Sequence, residues 1–449
     1  MAIFLGLLSS CLVVSFAIHR HVALTYGSEE GGSFALRAAA APRGGKDTTA
    51  KTSIELPRGR RLLGTDKTSS QSQSSNQNKR DEDGESIIEL VHVVHTRFMQ
   101  SQPHLLALGR ARLEMFRTFC LPSMVNQSSQ NFLWLIYTDP NLDSVLKEEL
   151  LALVSPYENF VVVASNNFPQ NFRKSAPLEL MDPSKIWSGD ASLIGLGYEA
   201  AKIWPVLESR LDMDDGLHNY FVELVQMDAA LSTNCGSPDD LSDQAKWKYW
   251  CSYTSIEWQP HNPFPLSKIQ VNQEEISHGY VVGVATPYCQ TPGLTVLLCP
   301  ATEFSSVPSA PHHKLLQTVS ECPEDDRSSN CVRRLKKLSP ASIRARSITS
   351  HGMLNVMVRE GDTMELYTLV DNQRQKQEVL WDGIEEFMHI TRNDSEKTKV
   401  YLEQNLAEIA SDNLRGQCTR GHSCKESTRE LLEKIANGQQ PQNVSNIWN

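Results

Sequence analysis

The sequence has no surplus of basic residues and no run of lysines or arginines. It holds 43 Lys and Arg against 53 Asp and Glu, and its formal net charge is −10. A protein that binds nucleic acid through its phosphates needs a basic surface. We therefore expect no nucleic-acid partner. The 449 residues, with a hydrophobic content of 40%, suffice for one large domain with appendages or for two domains.

The sequence also lacks the Cys-x-x-Cys pairs typical of zinc sites. Cys11 lies in the apolar N-terminus, and Cys120 stands apart from the others. The remaining cysteines form short-range groups: Cys235 with Cys251, Cys289 with Cys299, Cys322 with Cys331, and Cys418 with Cys424. This spacing favours disulfides and an oxidising compartment, although the sequence does not determine the pairing. Glycosylation sequons at Asn126, Asn393 and Asn443 agree with that compartment.

The N-terminus lacks the basic start of a standard signal peptide. Residues 2–18 form an almost unbroken apolar run, slightly shorter than the roughly 20 residues of a membrane-spanning helix. We interpret 1–18 as a membrane anchor or a signal sequence. Residues 19–85 contain hardly an aromatic residue and are predicted to form a disordered stem. An anchor, a stem and a folded domain are typical of Golgi enzymes, so we expect a secretory-pathway membrane protein with a lumenal domain. Secretion and a plastid location are the alternatives.

Apolar strands alternate with helices from residue 86 onwards. Residues 87–96, 132–138, 160–164 and 206–211 are predicted strands, and 105–119 is a predicted helix that Pro122 stops. Nearly all-apolar strands between helices predict an α/β fold with a mostly parallel sheet covered on both faces. Ligands bind beyond the carboxyl ends of such strands, where Arg97 and Asp139 are placed.

The predicted catalytic domain spans residues 86–395. Within it, residues 235–299 are rich in Trp, Tyr, Pro and Gly and predict short strands with ordered loops. Residues 305–340 read as a surface insertion, because they are rich in Pro, Ser and charged residues. Leucine and isoleucine spacing in residues 396–449 predicts a helical tail that is accessory to the domain.

Three carboxylates stand within four residues, at Asp212, Asp214 and Asp215. They would repel one another unless a hard divalent cation, Mn²⁺ or Mg²⁺, were bound together with substrate phosphates. The cluster follows a predicted strand and precedes a predicted helix from Leu217, whose N-terminus would favour the same anion. A helix cap by Asp215 is the structural alternative. A calcium-binding EF-hand loop is rejected because Gly216 is one residue early.

Several segments together resemble the rhamnosyltransferase family. They are HTRFMQ at residues 95–100, RARLEMFRTFCLPSMVNQSSQNFLWLIYTD at 110–139, RLDMDDGL at 210–217 and CQTPGLT at 289–295. The similarity extends over most of residues 85–359. The resemblance implies a GT-A-like nucleotide-sugar-binding domain with an Asp-x-Asp metal motif, and an enzyme that transfers a sugar, rhamnose or another, to a hydroxyl of a glycan or glycoprotein.

The resemblance also suggests roles for single residues. Asp212, Asp214 and Asp215 would hold the metal, with His351 as a late ligand, and Asp212 would also contact the diphosphate. Arg97 would bind the phosphates and Asp139 the base or ribose; a surface salt bridge is the structural alternative for Arg97. The arginines at 110 and 112 are expected to be solvated or structural.

The general base is the least determined role in the sequence. Our candidate is Glu257, with Trp258 beside it as a sugar-stacking platform; a Glu that points outward from a strand is the alternative. The Pro292-Gly293 turn is expected to line the acceptor side.

Two other classes of protein compete with a transferase. One is a non-catalytic carbohydrate-binding protein on the same fold, although such a protein has no chemical reason to keep three adjacent carboxylates. The other is a metal-dependent hydrolase, which would need further His and Asp ligands for two metals. A glycoside hydrolase needs two separated carboxylates but no diphosphate site.

Overall fold

The structure is a computed structural model of the protein. It describes residues 90–169, 171–232, 235, 247–260, 276–285, 288–300, 302, 304–308, 310–323, 330–347, 349, 373–417 and 426–438. The predicted anchor (1–18), the predicted stem (19–85) and His351 lie outside these residues. None of the helices in the described ranges combines the length and the apolarity needed to cross a membrane.

Eight strands form the main sheet. They are β1 (Val91–Phe98), β2 (Leu133–Thr138), β3 (Phe160–Ala164), β4 (Ile186–Ser188), β5 (Val206–Arg210), β7 (Trp247–Ser252), β10 (Leu294–Leu298) and β11 (Val332–Leu335). Their order is β11-β7-β10-β5-β1-β2-β3-β4. The central strands β5, β1, β2 and β3 are mutually parallel, whereas β10 and β4 run in the opposite direction. The predicted mostly parallel sheet is confirmed.

Both faces of this sheet are covered in its central strands: every residue of β2 and β3 is buried, and nearly all of them are apolar. On β1, Val94 belongs to one core cluster and Val93 to a second cluster on the opposite face. Such double burial is the property that makes parallel strands continuous apolar runs. The predicted α/β architecture, with a central sheet covered by helices, is therefore confirmed.

Four further strands form a smaller sheet. They are β6 (Asp215–Leu217), β8 (Thr254–Gln259), β9 (Tyr280–Ala285) and β12 (Ser342–Ala345), in the order β6-β12-β8-β9. The chain passes from the centre of the main sheet directly into this one, because only residues 211–214 separate β5 from β6. The acidic residues occupy that connection.

Eleven α-helices are present in the described residues. They are α1 (Leu106–Met115), α2 (Leu121–Val125), α3 (Ser144–Val154), α4 (Phe172–Ser175), α5 (Ala191–Ala201), α6 (Phe221–Ser232), α7 (Leu315–Thr318), α8 (Gln373–Met388), α9 (Arg392–Gln404), α10 (Leu406–Gln417) and α11 (Glu426–Ala436). Pro122 does not end the first helix, contrary to prediction. A π-helical turn, Phe116–Cys120, joins α1 to α2, and Pro122 lies in the first turn of α2.

Two segments are better integrated than their composition indicates. Residues 305–340, predicted to be a surface insertion, supply β11 to the edge of the main sheet, and Leu315 and Val332 to a buried cluster. The predicted C-terminal tail is helical, but it is not accessory: Leu402 and Ile409 are buried in the main core. The described tail helices α10 and α11 pack on each other, and α10 also packs on α1.

Two of the disulfides join cysteines that the sequence spacing assigns to different groups. Cys235 bonds to Cys299 and Cys251 to Cys289, so one loop is nested in the other, whereas Cys322–Cys331 forms as grouped. The reason is the antiparallel pairing of β7 with β10, which brings the end of β7 to the start of β10. Cys120 is free and buried, as predicted. Residues 418 and 424 lie outside the described ranges.

Candidate functional site

The acidic turn lies at the carboxyl end of β5, in the middle of the main sheet. The amide of Asp215 donates to the carbonyl of Asp212 (3.1 Å), and the amide of Ala345 donates to the carbonyl of Asp214 (3.0 Å). The turn is thus fixed both internally and to the small sheet. The predicted helix at Leu217 is wrong: Asp215–Leu217 is a strand, and α6 begins only at Phe221. Asp215 is therefore not a helix cap, and no helix N-terminus follows the turn directly.

Gly216 is required by packing rather than by backbone conformation. A β-carbon at this position would lie 2.6 Å from the carbonyl oxygen of Phe119 and 2.9 Å from a methyl group of Ile343. The close approach lets β6 pass between the helical segment after α1 and the strand β12. The Asp-Asp-Gly sequence thus combines two carboxylates with the one residue that permits this path.

Asp212 is open to solvent and yet surrounded by protein. Its side chain is exposed, but desolvation is the largest influence on its pKa, which rises to about 6. The charge of Asp214 raises this pKa further, and the charges of Arg344, Arg97 and Arg210 oppose the rise. Asp212 is therefore accessible to a ligand, while the neighbouring protein removes part of its hydration.

Asp215 differs from its neighbours because it is buried. Its pKa is raised well above the usual value, mainly by desolvation and secondly by the charge of Asp214, whereas the charge of Arg344 opposes the rise. Nε of Arg344 is 4.0 Å from Oδ1 of Asp215. Asp215 therefore faces the small sheet and contributes to its packing, while Asp212 is the accessible member of the cluster.

The three-carboxylate metal site predicted from the sequence is not formed by the described residues. Among these residues, no group of three or more His, Cys, Asp or Glu side chains is placed to hold a metal ion. Asp212 and Asp214 nevertheless repel each other, as the pKa of Asp212 shows. Mg²⁺ is commonly bound by one or two carboxylates together with substrate phosphates. The two carboxylates of Asp212 and Asp214 fit that mode of binding.

Arginines surround the acidic turn on several sides. Arg112, expected to be solvated or structural, is largely enclosed. Its guanidinium donates to Oε1 of Gln102 (2.8 Å) and to the carbonyl of Thr349 (3.3 Å). Burial lowers its pKa to about 10, and the charges of Asp214 and Asp212 oppose that shift. Arg112 is thus a structural residue whose charge reaches the acidic turn.

Arg97 lies at the end of β1, as predicted, and a second arginine lies beside it. Arg210 ends the neighbouring strand β5, and the Cζ atoms of Arg97 and Arg210 are 3.9 Å and 4.2 Å from the ring centroid of Phe168. Sequence reasoning missed Arg210 and Phe168. The rule that ligands bind beyond strand ends applies to Arg210 as well as to Arg97, so this rule could have found it.

Asp139 is buried at the end of β2 and holds the loop that follows β1. Its Oδ2 accepts from the amide of Ser101 (3.0 Å) and its Oδ1 from the amide of Asn141 (2.8 Å). Met99 and Ser101 both have positive φ, a conformation that is costly for residues other than glycine. Asp139 therefore stabilises a strained loop beside Arg97.

Glu257 lies on β8 and is buried, not pointed outward. Its Oε1 accepts from Nη2 (2.8 Å) and Nε (3.2 Å) of Arg346. Trp258 is fully buried: its ring packs 4.8 Å from that of Phe119, and its Nε1 donates to the carbonyl of His278. The proposed role of Trp258 as a sugar platform is therefore wrong, because no face of the ring is open to a ligand.

The Pro292-Gly293 turn is confirmed. Gly293 has φ +72° and its amide donates to the carbonyl of Arg210 (2.9 Å). A β-carbon there would lie 2.4 Å from the ring of Phe221. The turn thus packs against the residues that continue from the acidic turn. Arg110 is confirmed as an exposed residue, paired with Glu149.

Comparison with known proteins supports the family resemblance. Residues 102–183 match the model of a family described as "Putative rhamnosyl transferase". No curated protein matches the chain. Matching solved structures include S. aureus TarS 1–349 in complex with UDP-GlcNAc, with 10% identity over 78% of this chain and 88% of that chain, at a TM-score of 0.25. Another structure of S. aureus TarS has 11% identity over 80% of this chain and 55% of that chain, at 0.22. These TM-scores are too low to indicate a shared fold.

The family match covers β2 and β3 with the helices around them, and it does not include the acidic turn at residues 212–215. The resemblance predicted from the sequence is thereby confirmed for residues 102–183, which are similar to the rhamnosyl transferase family.

Proposed function

We propose that this protein transfers a sugar, rhamnose or another hexose, from a nucleotide-diphosphate donor to a hydroxyl group of a glycan or glycoprotein. A divalent cation, Mn²⁺ or Mg²⁺, would be held between Asp212, Asp214 and the diphosphate. The observation that carries this proposal is the position of the acidic turn. It is accessible and poorly hydrated, at the carboxyl end of a central parallel strand, where open α/β sheets bind their ligands.

The metal, when bound, would neutralise charge on the leaving diphosphate. The chain's own residues have separate tasks. Asp212 and Asp214 hold the cation, and the carbonyl and amide contacts of the turn fix their backbone. Arg97 binds the phosphates from the adjoining strand. Asp139 positions the loop after β1, against which the base or ribose would lie, and Glu257 remains the candidate base for the acceptor hydroxyl. His351 remains a proposed further ligand.

Donor turnover by the full-length protein tests this proposal. We would measure nucleoside diphosphate release from a panel of UDP-, GDP- and dTDP-sugars with MnCl₂, MgCl₂ or EDTA. We expect metal-dependent release with at least one donor, and a loss of at least about 100-fold in D212N and in D214N because each removes a charged metal ligand. The matched control is D190N, which changes the half-buried Asp that caps the start of α5 to another good helix cap.

Three outcomes would contradict the proposal. Unchanged turnover in D212N and D214N would show that the acidic turn does not serve the leaving group. Metal-dependent cleavage of phosphate esters without sugar transfer would indicate a hydrolase, whereas glycan binding with no turnover of any donor would indicate a carbohydrate-binding protein.

We also propose a lumenal location in the secretory pathway, as part of a membrane-anchored or secreted protein. The three disulfides within the described residues support an oxidising compartment. Exposed Asn126 and Asn393, each in a sequon, support it as well. A glycosidase-sensitive mass shift of the expressed protein is the expected result, and fluorescence of a tagged chain in plastids would contradict the location.

A further inference from the structure

We propose that Arg97 and Arg210, both stacked on Phe168, form a site for the donor's diphosphate that binds this anion without a metal. This inference rests on the proposed function and deepens it. It separates two tasks at one site, namely binding of the diphosphate by arginines and activation of the leaving group by a metal on Asp212 and Asp214.

The two arginines are brought together by the register of the sheet. β1 and β5 are parallel neighbours, and His95 pairs with Arg210, so Arg97 stands two residues further along β1 on the same face. Phe168 comes from the loop after β3. Both guanidinium carbons lie within 4.2 Å of the centroid of this one ring. Three segments distant in sequence therefore converge on a single arginine–phenylalanine–arginine arrangement.

The ring that carries the arginines is itself held in place. Phe168 makes edge contacts with the rings of Tyr137 (5.2 Å between centroids) and His95 (5.9 Å). His95 is buried on β1, with its Nε2 at 3.2 Å from Oε2 of Glu208, and burial lowers its pKa, so it adds no charge at neutral pH. Stacking on a fixed ring restricts both guanidinium groups before any ligand binds, and such preorganisation favours binding.

The positive charges of the arginines are only partly compensated, by Glu208 near Arg210 and by Asp212 near both. Within the described residues neither Arg97 nor Arg210 forms a salt bridge, and the guanidinium of Arg210 donates only to the carbonyl of Pro169 (3.3 Å). Their like charges repel each other. Burial is the largest cause of the lowered pKa of Arg210; Glu208 opposes the shift, and the charge of Arg97 lowers the pKa further. An anion that contacts both guanidinium groups would reduce this repulsion. The planar guanidinium suits phosphate oxygens because it offers paired donors.

A diphosphate fits better than a single small anion because of what lies next to the arginines. The charge of Asp212 acts on both Arg97 and Arg210. A ligand that bridges the arginines and a metal on Asp212 needs several phosphate oxygens a few ångströms apart, which a diphosphate supplies. The arginine site would then retain the nucleotide even when the metal has left.

Calorimetric titration of the full-length protein tests the inference. The probes are inorganic pyrophosphate, UDP, GDP and dTDP, each with EDTA and each with MnCl₂. In EDTA we expect pyrophosphate and at least one nucleotide to bind the wild type, with affinity reduced about tenfold or more in R97Q and in R210Q, since each variant loses a charge-assisted contact. D212N should bind at least as tightly in EDTA, because it removes a neighbouring negative charge.

Matched variants separate charge, geometry and folding. R110Q removes an exposed arginine that pairs with Glu149, and it should bind like the wild type. R97K and R210K keep the charge without the planar stack, and we expect them to bind more weakly than the wild type. Thermal melting of each variant identifies any that fails to fold, and for such a variant the lysine substitution replaces the glutamine one.

The outcomes distinguish the two proposals. Nucleotide binding with MnCl₂ but none in EDTA overturns the arginine site and leaves the proposed function standing. Unchanged affinity in folded R97Q and R210Q also overturns the arginine site. Arginine-dependent pyrophosphate binding in EDTA, together with no turnover of any nucleotide sugar, supports the anion site and counts against the proposed transfer. Absence of binding in both conditions overturns both.

Discussion

Nε of Arg344 lies 4.0 Å from Oδ1 of Asp215, where the two residues face each other in the antiparallel pair of β12 and β6. The Asp215 side chain is only 5% exposed. Arg344 thus stabilises the one carboxylate of the acidic turn that is enclosed by the small sheet. The accessible carboxylate, Asp212, is left for ligands.

Removing the arginine of this pair should destabilise the protein more than neutralising the aspartate. We expect R344M to lower the free energy of unfolding by about 3 kcal/mol, because it leaves a buried carboxylate without its cation. D215N should cost less, since the amide carries no charge, and R344M/D215N should recover part of the loss. Urea denaturation measures all three. Equal midpoints for R344M and the wild type would contradict the assigned role of the pair.

Stability of the ligand-free protein should fall as Asp212 ionises. Its pKa in the folded state is about 6, above the usual 3.8, so its contribution to stability is complete below about pH 3.8 and is lost as the pH rises through about 6. D212N should flatten this part of the profile of melting temperature against pH, and E199Q, an exposed carboxylate change, should not.

Metal binding should follow the opposite trend. A cation competes with the proton on Asp212, so binding of Mn²⁺ with a nucleoside diphosphate should weaken as the pH falls below about 6. Calorimetry between pH 5 and 7 would measure it. A pH-independent affinity over this interval would show that Asp212 is not a ligand.

The ion pair of Glu257 with Arg346 gives a test of the candidate base. Both side chains are largely buried, with exposures of 9% and 11%. We expect E257Q and R346M each to reduce the free energy of unfolding, by up to about 3 kcal/mol, because either change breaks the pair. If Glu257 is also the base, E257Q alone should lower kcat by about 100-fold or more with little change in KM. Equal kcat values for folded E257Q and R346M would leave Glu257 a structural residue.

The cysteines should show two kinds of chemistry. Mass mapping without reduction should find Cys235–Cys299, Cys251–Cys289 and Cys322–Cys331. Cys120 should not react with a thiol reagent until the protein unfolds, because it is buried and its pKa is raised well above the usual value by burial and by Asp215. Rapid labelling of Cys120 in the native protein would contradict this placement.

Local pattern was a good guide to the main sheet. The strands β2 and β3 could be located from apolar runs of about the right length, since double burial leaves an unbroken signal in the sequence. The prediction of a helix from Leu217 is wrong by four residues. A helical spacing is present at Tyr220, Phe221, Leu224 and Val225, and Leu217 fits the same spacing although it belongs to β6. Element boundaries depend on hydrogen bonds, here those of β6 with β12, which no local spacing reveals.

The sequence by itself determined the α/β architecture, the resemblance of residues 102–183 to the rhamnosyl transferases and the position of the acidic turn after a buried strand, because each of these depends on residues close together in the chain. Tertiary structure alone decided which carboxylate is enclosed by Arg344 and which is open, why Trp258 is core, and how the nested disulfides pair. It also brought Arg97, Phe168 and Arg210 together. These relationships join residues far apart in the chain, and only the register of paired strands fixes their distances.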